Sequence, residues 1–125
     1  MNRSGLAVAR FAEENALSPP EILVVTDDFY LSLGRLRLRA SGSDGGHKGL
    51  ASIIYHLGSE DLPRLRLGIG PVPEGMAAED FVLMRFSDDE TPVGAEMVSR
   101  AAEAVVAWLE HGFEIAAGRY NRPAE

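Results

Sequence analysis

Residues 34–58, GRLRLRASGSDGGHKGLASIIYHLG, change their hydrophobic period midway, and that change constrains the fold more than any other stretch. Arg35, Leu36, Arg37, Leu38, Arg39 and Ala40 alternate strictly. Period two is the repeat of a strand, so the leucines face a core and the three arginines share the opposite face. In HKGLASIIYHLG, by contrast, Leu50, Ile53, Ile54 and Leu57 follow the 3.6-residue period of a helix, with Gly58 as its C-cap. Between the two lies GSDGG, which reads as a strand-to-helix turn.

The remaining chain fits the same alternation of strands and helices. SGLAVARFAEENAL is expected to be a short amphipathic helix, with Ser4 as N-cap and Leu6, Ala9, Phe11 and Ala16 on its inner side. Pro19 and Pro20 cannot continue it. Ile22, Leu23, Val24 and Val25 form an apolar run that reads as a strand buried on both faces and ending at Asp27-Asp28. PRLRLGIG is a second strand-like run, PVPEGMAAED a loop, and DFVLMRF fits strand or helix. TPVGAEMVSRAAEAVVAWLEHG reads as a long helix capped by Thr91, with Pro92 at its first position. Val93, Met97, Ala101, Val105, Trp108 and Leu109 are its expected inner face. Strand, strand, helix, strand, helix implies an α/β protein with helices covering a sheet.

Composition narrows the class. A chain of 125 residues is the size of one domain, and no apolar run approaches a membrane span. MNRSGLAVARFAEEN lacks the pattern of a signal peptide. Cysteine is absent, which excludes disulfides and thiolate metal sites and fits the cytoplasm. The net charge of -7 does not by itself favour nucleic acid. Yet Arg35, Arg37, Arg39, Lys48, Arg64 and Arg66 concentrate positive charge in the centre of the chain. Eleven of the twelve basic residues are arginine, which favours bidentate phosphate contact.

Three constellations have chemical potential, each with a plainer alternative. The glycine turn opening a helix suits an anion, with His47 and Lys48 beside it, or is simply a tight turn needing positive φ. Asp27-Asp28 could orient a histidine or act as a base, or be turn aspartates. The arginine ladder could hold phosphates, or be a solvated strand face. His56 and His111 are expected on polar surfaces, and Trp108 and Tyr120 in packing. No Ser–His–Asp set, zinc motif or matched carboxylate pair stands out.

Taken in order, MNRSG, ILVVTDD, LGRLRLR, GSDGGHKGL, SIIYHLG and PRLRLGIG, with DFVLMRF and the long terminal helix, resemble the bacterial peptidyl-tRNA hydrolase family across nearly the whole chain. The resemblance implies a mixed sheet flanked by helices, over a single domain of residues 1–125. It implies hydrolysis of the ester joining a peptide to the 3′ end of tRNA, with no metal and no cofactor, by a cytoplasmic monomer. A non-catalytic RNA-binding module of the same fold is the alternative. Asp27 matches the aspartate that orients a catalytic histidine, and Asn2 the asparagine that lines the site near the scissile ester. Met1, Asn2, Gly45, Gly46, His47 and Lys48 match the substrate-side motifs, and Arg37, Arg39 and Arg66 match basic residues that grip tRNA. Lys48 stands where the family usually has asparagine. The family's catalytic histidine belongs to an N-terminal GLGNPG…Y…TRHN segment that these residues lack. The chain is therefore expected to represent the C-terminal two thirds of the family domain, to hydrolyse weakly or not at all alone, to fold fragilely, and to self-associate, if at all, through exposed sheet edges.

Overall fold

The structure, a computed structural model, describes residues 3–122. In chain order it contains α1 (Ser4–Glu14), a 3-10 turn (Pro19–Glu21), β1 (Val24–Ser32), β2 (Leu36–Arg39), α2 (Lys48–Leu57), β3 (Arg64–Gly70), α3 (Ala78–Phe81), α4 (Thr91–His111) and α5 (Phe113–Tyr120). The strands pair in the order β1-β3-β2, so β3 is central and the other two are edges. This is the expected mixed sheet with flanking helices. The residues group into two compact units: those up to Thr26 with Arg39–Arg64, and Asp27–Leu38 with Leu65 onward.

The first unit is organised by α1 against α2. Gly5 approaches α2 so closely that a Cβ there would overlap the Ser52 carbonyl, and its N–H donates to Ser52 Oγ at 3.0 Å. The fully buried residues of α1 are therefore small ones, with Val8 packing on the cluster of Leu50, Ile53 and Leu62. Gly5 and Ala12 are buried, while Leu6 and Phe11 are exposed and Ala16 lies beyond the helix end. This corrects the expected face, which had been drawn through Leu6, Ala9, Phe11 and Ala16. Ser4 is the first helical residue and Arg3 the N-cap, without a side-chain cap bond. On α2, Leu50 and Ile53 join Leu62 in an apolar cluster, with Val8, Ile22, Val24, Ile54 and Leu57 packed on it.

The Ser18–Glu21 turn leads into β1. Glu21 Oε1 accepts from Ser18 N at 2.8 Å and from Ser18 Oγ at 2.9 Å, and these bonds hold the Glu21 carboxyl below its ordinary range. β1 itself begins at Val24 and runs past the two aspartates to Ser32. Thr26 is its one buried residue, and Val25 is 51% exposed. The expected strand buried on both faces is thus an edge strand, with Ile22 and Val24 reaching the apolar cluster from one side.

In the second unit Leu36 and Leu38 are fully buried, as the alternation in β2 requires, and so is Leu65 on β3. Asn121, just beyond α5, clamps Leu38. Its Oδ1 accepts the Leu38 N–H at 2.6 Å and its Nδ2 donates to the Leu38 carbonyl at 3.1 Å. One amide side chain thereby satisfies both backbone groups of a residue on an edge strand. On α4 the buried residues are Gly94, Met97, Ala101, Ala104 and Ala107, and α5 contributes Ala116. Val93 and Leu109, expected inside, are exposed, and Val105 and Trp108 are half-buried. Thr91 opens α4 as its first residue rather than capping it; Glu90 is the N-cap. DFVLMRF resolves as the end of α3 followed by turns, with the Phe86 ring over Gly94.

Candidate functional site

The Gly42–Lys48 segment belongs to the first unit and is fixed at both ends. At its start, the Gly42 N–H donates to the Glu60 carbonyl at 3.2 Å. Arg64, with no exposed surface, sends Nη1 to the Ser43 carbonyl at 2.6 Å, Nε to Leu62 at 3.0 Å and Nη2 to Glu60 at 3.2 Å. Arg64 had been grouped with the central basic stretch. Buried and bonded to three carbonyls, it is a structural latch. A buried charge is tolerable only when hydrogen-bonded in this way. In PRLRLG the sequence signal for it was only its place on the alternating strand.

Within the turn, Gly45 and Gly46 adopt φ of +60° and +83°, the left-handed region that glycine enters without steric penalty. Asp44 Oδ1 accepts the Gly46 N–H at 2.7 Å, and the His47 N–H donates to the Asp44 carbonyl at 3.0 Å. His47 is then the N-cap of α2, and its ring does the capping: Nδ1 accepts the Leu50 N–H at 3.1 Å. That bond determines the tautomer. A ring nitrogen that accepts carries no proton, so in the neutral imidazole the proton resides on Nε2. One of the amides that would greet an anion at this helix end is already engaged by the protein itself. Lys48, the first residue of α2, is exposed.

The cap makes a clean prediction. His47→Ala should destabilise the protein by about 1 kcal/mol, the usual loss on deleting a capping side chain, whereas His47→Asn should stay within a few tenths because asparagine caps well. Urea denaturation of the two variants beside the parent checks this. Equal losses would show that the ring acts by packing rather than by its Nδ1 bond.

In the second unit, Asp27 and Asp28 lie within β1 rather than at its end. Asp27 is exposed. Asp28 is turned inward: its Oδ2 lies 3.5 Å from Arg66 Nη1 on β3, and its Oδ1 accepts the Tyr30 N–H at 2.9 Å. Neutralised by Arg66, the second aspartate does not interrupt the strand, which continues through Phe29, Tyr30 and Leu31. Arg37 is half-buried on β2, and its Nε has no hydrogen-bond partner among the described residues. Arg39, in the first unit, ends β2 and is exposed. The structure thus brings Arg66 together with Asp28, a residue that had been weighed only as half of an acidic pair. It sets Gly45, Gly46 and His47 in one hydrogen-bonded turn that leads into α2 at Lys48. Met1 and Asn2 lie outside the described residues.

The other two histidines engage nearby groups: His56 Nδ1 lies 2.9 Å from the Ser52 carbonyl, and His111 Nε2 is 3.7 Å from Glu110. Among the described residues no group of three or more histidine or carboxylate side chains is placed to hold a metal, and no helix is long and apolar enough to cross a membrane.

Known proteins resemble this chain in sequence and in fold. A family model described as peptidyl-tRNA hydrolase matches residues 1–125. The peptidyl-tRNA hydrolase of Methylacidiphilum infernorum is 46% identical over 97% of this chain and 65% of its own length; that of Desulfitobacterium hafniense is 43% identical over 98% and 66%. The crystal structure of peptidyl-tRNA hydrolase from Acinetobacter baumannii superposes with a TM-score of 0.89 at 28% identity, covering 98% of this chain and 62% of that one. The chain therefore spans just under two thirds of the length of the relatives it matches. With a family model matched from first residue to last, these 125 residues belong to the peptidyl-tRNA hydrolase family.

Proposed function

We propose that the protein acts in hydrolysis of the ester between a peptide and the 3′ end of tRNA, and that these residues supply the grip on the tRNA and the carboxylate behind the base. The observation that carries this reading is the GGHKG turn, hydrogen-bonded to Arg64 at one end and through the His47 cap at the other, in a chain matched throughout by the family model. In the reaction, water adds to the ester carbonyl as a histidine takes its proton. The 3′ ribose oxygen then leaves with a proton, giving a free carboxyl on the peptide and a hydroxyl on the tRNA. Asp27 orients the histidine and keeps it basic, and Asn2 positions the water or the carbonyl. Gly45 and Gly46 let the tRNA end approach the backbone. The Nε2–H of His47 is a donor, and Lys48 supplies charge where the family usually has an amide. The reading takes 1–125 as one family domain, working as a cytoplasmic monomer.

The base is assigned to none of the three histidines in the chain. His47 has its Nδ1 lone pair on Leu50 and its proton on Nε2, so in that state neither nitrogen can take a proton from water. These residues alone are therefore expected to turn over slowly. The same observation favours the second reading, an RNA-binding module without turnover.

Both readings require a phosphate grip by Arg37, Arg39 and Arg66. Replacing all three with glutamine should reduce the dependence of log affinity for tRNA on log salt by about 2 to 3. That corresponds to losing roughly 15- to 60-fold of the weakening that the parent shows between about 50 and 200 mM salt. Filter binding across that range is the check. An unchanged slope would remove these arginines from the interface, and absence of tRNA binding by the parent would overturn both readings.

A further inference from the structure

Asp28 uses both of its carboxylate oxygens. Oδ1 holds the Tyr30 N–H at 2.9 Å, which fixes the carboxylate on its own strand. Oδ2 reaches the neighbouring strand and faces Arg66 Nη1 at 3.5 Å. The side chains are only 15% and 24% exposed, so the pair is screened far less than a surface ion pair. The contact engages one corner of a planar five-donor fork and limits how that fork can turn.

This has two opposed effects on RNA. A restrained arginine loses less freedom when it meets a phosphate in the right place. The carboxylate behind it repels phosphates in general. Orientation favours one placement of one phosphate; repulsion weakens every placement. Together they favour a structured RNA, which presents its phosphates at fixed positions, over a flexible strand, which does not.

We infer that Asp28 is a positioning residue that makes Arg66 selective for phosphates of folded tRNA over those of single-stranded RNA. The inference rests on the tRNA-binding reading above and adds to it the source of selectivity.

Asp28→Asn tests it. The amide oxygen can still accept the Tyr30 N–H, while the negative charge facing Arg66 is gone. Affinities for deacylated tRNA and for poly(U) are measured side by side. The expected result is a loss of roughly threefold or more for tRNA with poly(U) unchanged or tighter, so that the ratio falls by up to about tenfold. In an Arg66→Gln background the same substitution should leave the ratio unchanged. A parallel gain for both RNAs, no change for either, or an equal effect without Arg66 would overturn the inference.

If the parent shows no preference for tRNA over poly(U), the functional reading fails at that point. The restraint itself is then judged by NMR of the Arg66 Nε–Hε group. A slowly exchanging signal in the parent that is lost in Asp28→Asn supports the restraint; one that persists in the variant overturns it. Thermal melts of each variant identify any effect that comes from unfolding.

Discussion

Gly70→Ala should remove a large part of the protein's stability, although it adds a single methyl group. Gly70 lies on β3, the central strand, and a Cβ there would overlap the Phe29 carbonyl of β1. Gly68, two residues earlier, is in the same position against the Ser32 carbonyl. The obstacle in each case is backbone, which cannot rotate away as a side chain can. Relief would require β1 and β3 to separate. We expect a loss of about 4 kcal/mol or more for either substitution, against a total stability of about 5–15 kcal/mol for a domain. Gly58 is the control. It adopts φ of +70°, but nothing lies within 4 Å of the position of its Cβ. Gly58→Ala should therefore show only the conformational penalty of about 1–2 kcal/mol. Circular dichroism and urea denaturation separate the two classes. If all three variants lose stability equally, the close approach of β1 to β3 is not what these glycines serve.

Asp27→Ala should remove nearly all the hydrolysis that a histidine base can provide. Asp27 is exposed on β1, next to Asp28, whose Oδ2 faces Arg66. A carboxylate behind an imidazole orients the ring and stabilises the cation that forms when it takes a proton. Its removal leaves binding largely in place and strikes the chemical step. Since none of the chain's three histidines is assigned as the base, the effect should be visible when free imidazole is supplied as one. The expected loss of imidazole-supported ester cleavage is about 10²-fold or more, within the usual range for general-base catalysis. Unchanged tRNA affinity in the same variant would show that the loss lies in chemistry rather than in binding.

The fold was legible where hydrophobic period was the deciding signal. The alternation in β2 places Leu36 and Leu38 in the interior, and the 3.6-residue period of α2 does the same for Leu50 and Ile53. Reading failed where size replaced hydrophobicity as the criterion for burial. Helix α1 meets α2 at Gly5, where a Cβ would overlap backbone, and α4 buries Gly94, Ala104 and Ala107 in addition to the expected Met97 and Ala101. Leu6, Phe11 and Leu109, the larger residues, are left outside. An apolar run also does not say how many of its faces are covered. Ile22–Val25 belongs to an edge strand and its approach, and that depends on strand order, which is a property of the whole sheet.

The glycine turn was legible as a turn, but its contacts were not. Positive φ at Gly45 and Gly46 follows from the turn that the glycines imply. The role of His47 as a cap does not, because histidine is an unusual N-cap and its ring must fold back three residues to reach Leu50. Arg64 and Arg66 are two residues apart on one strand and have the same chemistry. One is a buried latch on three carbonyls and the other is held by an aspartate on the next strand. Only the partners distinguish them, and the partners come from distant parts of the chain.

The most direct measurement is the time course of ester cleavage in N-acetylated aminoacyl-tRNA by this chain, with and without free imidazole, beside His47→Asn and Asp27→Ala. The account predicts salt-dependent binding, slow cleavage, acceleration by imidazole in the parent and in His47→Asn, and loss of that acceleration in Asp27→Ala. Rapid cleavage that needs no imidazole and disappears in His47→Asn would contradict it, because His47 would then be the base and not the cap and donor of a recognition loop.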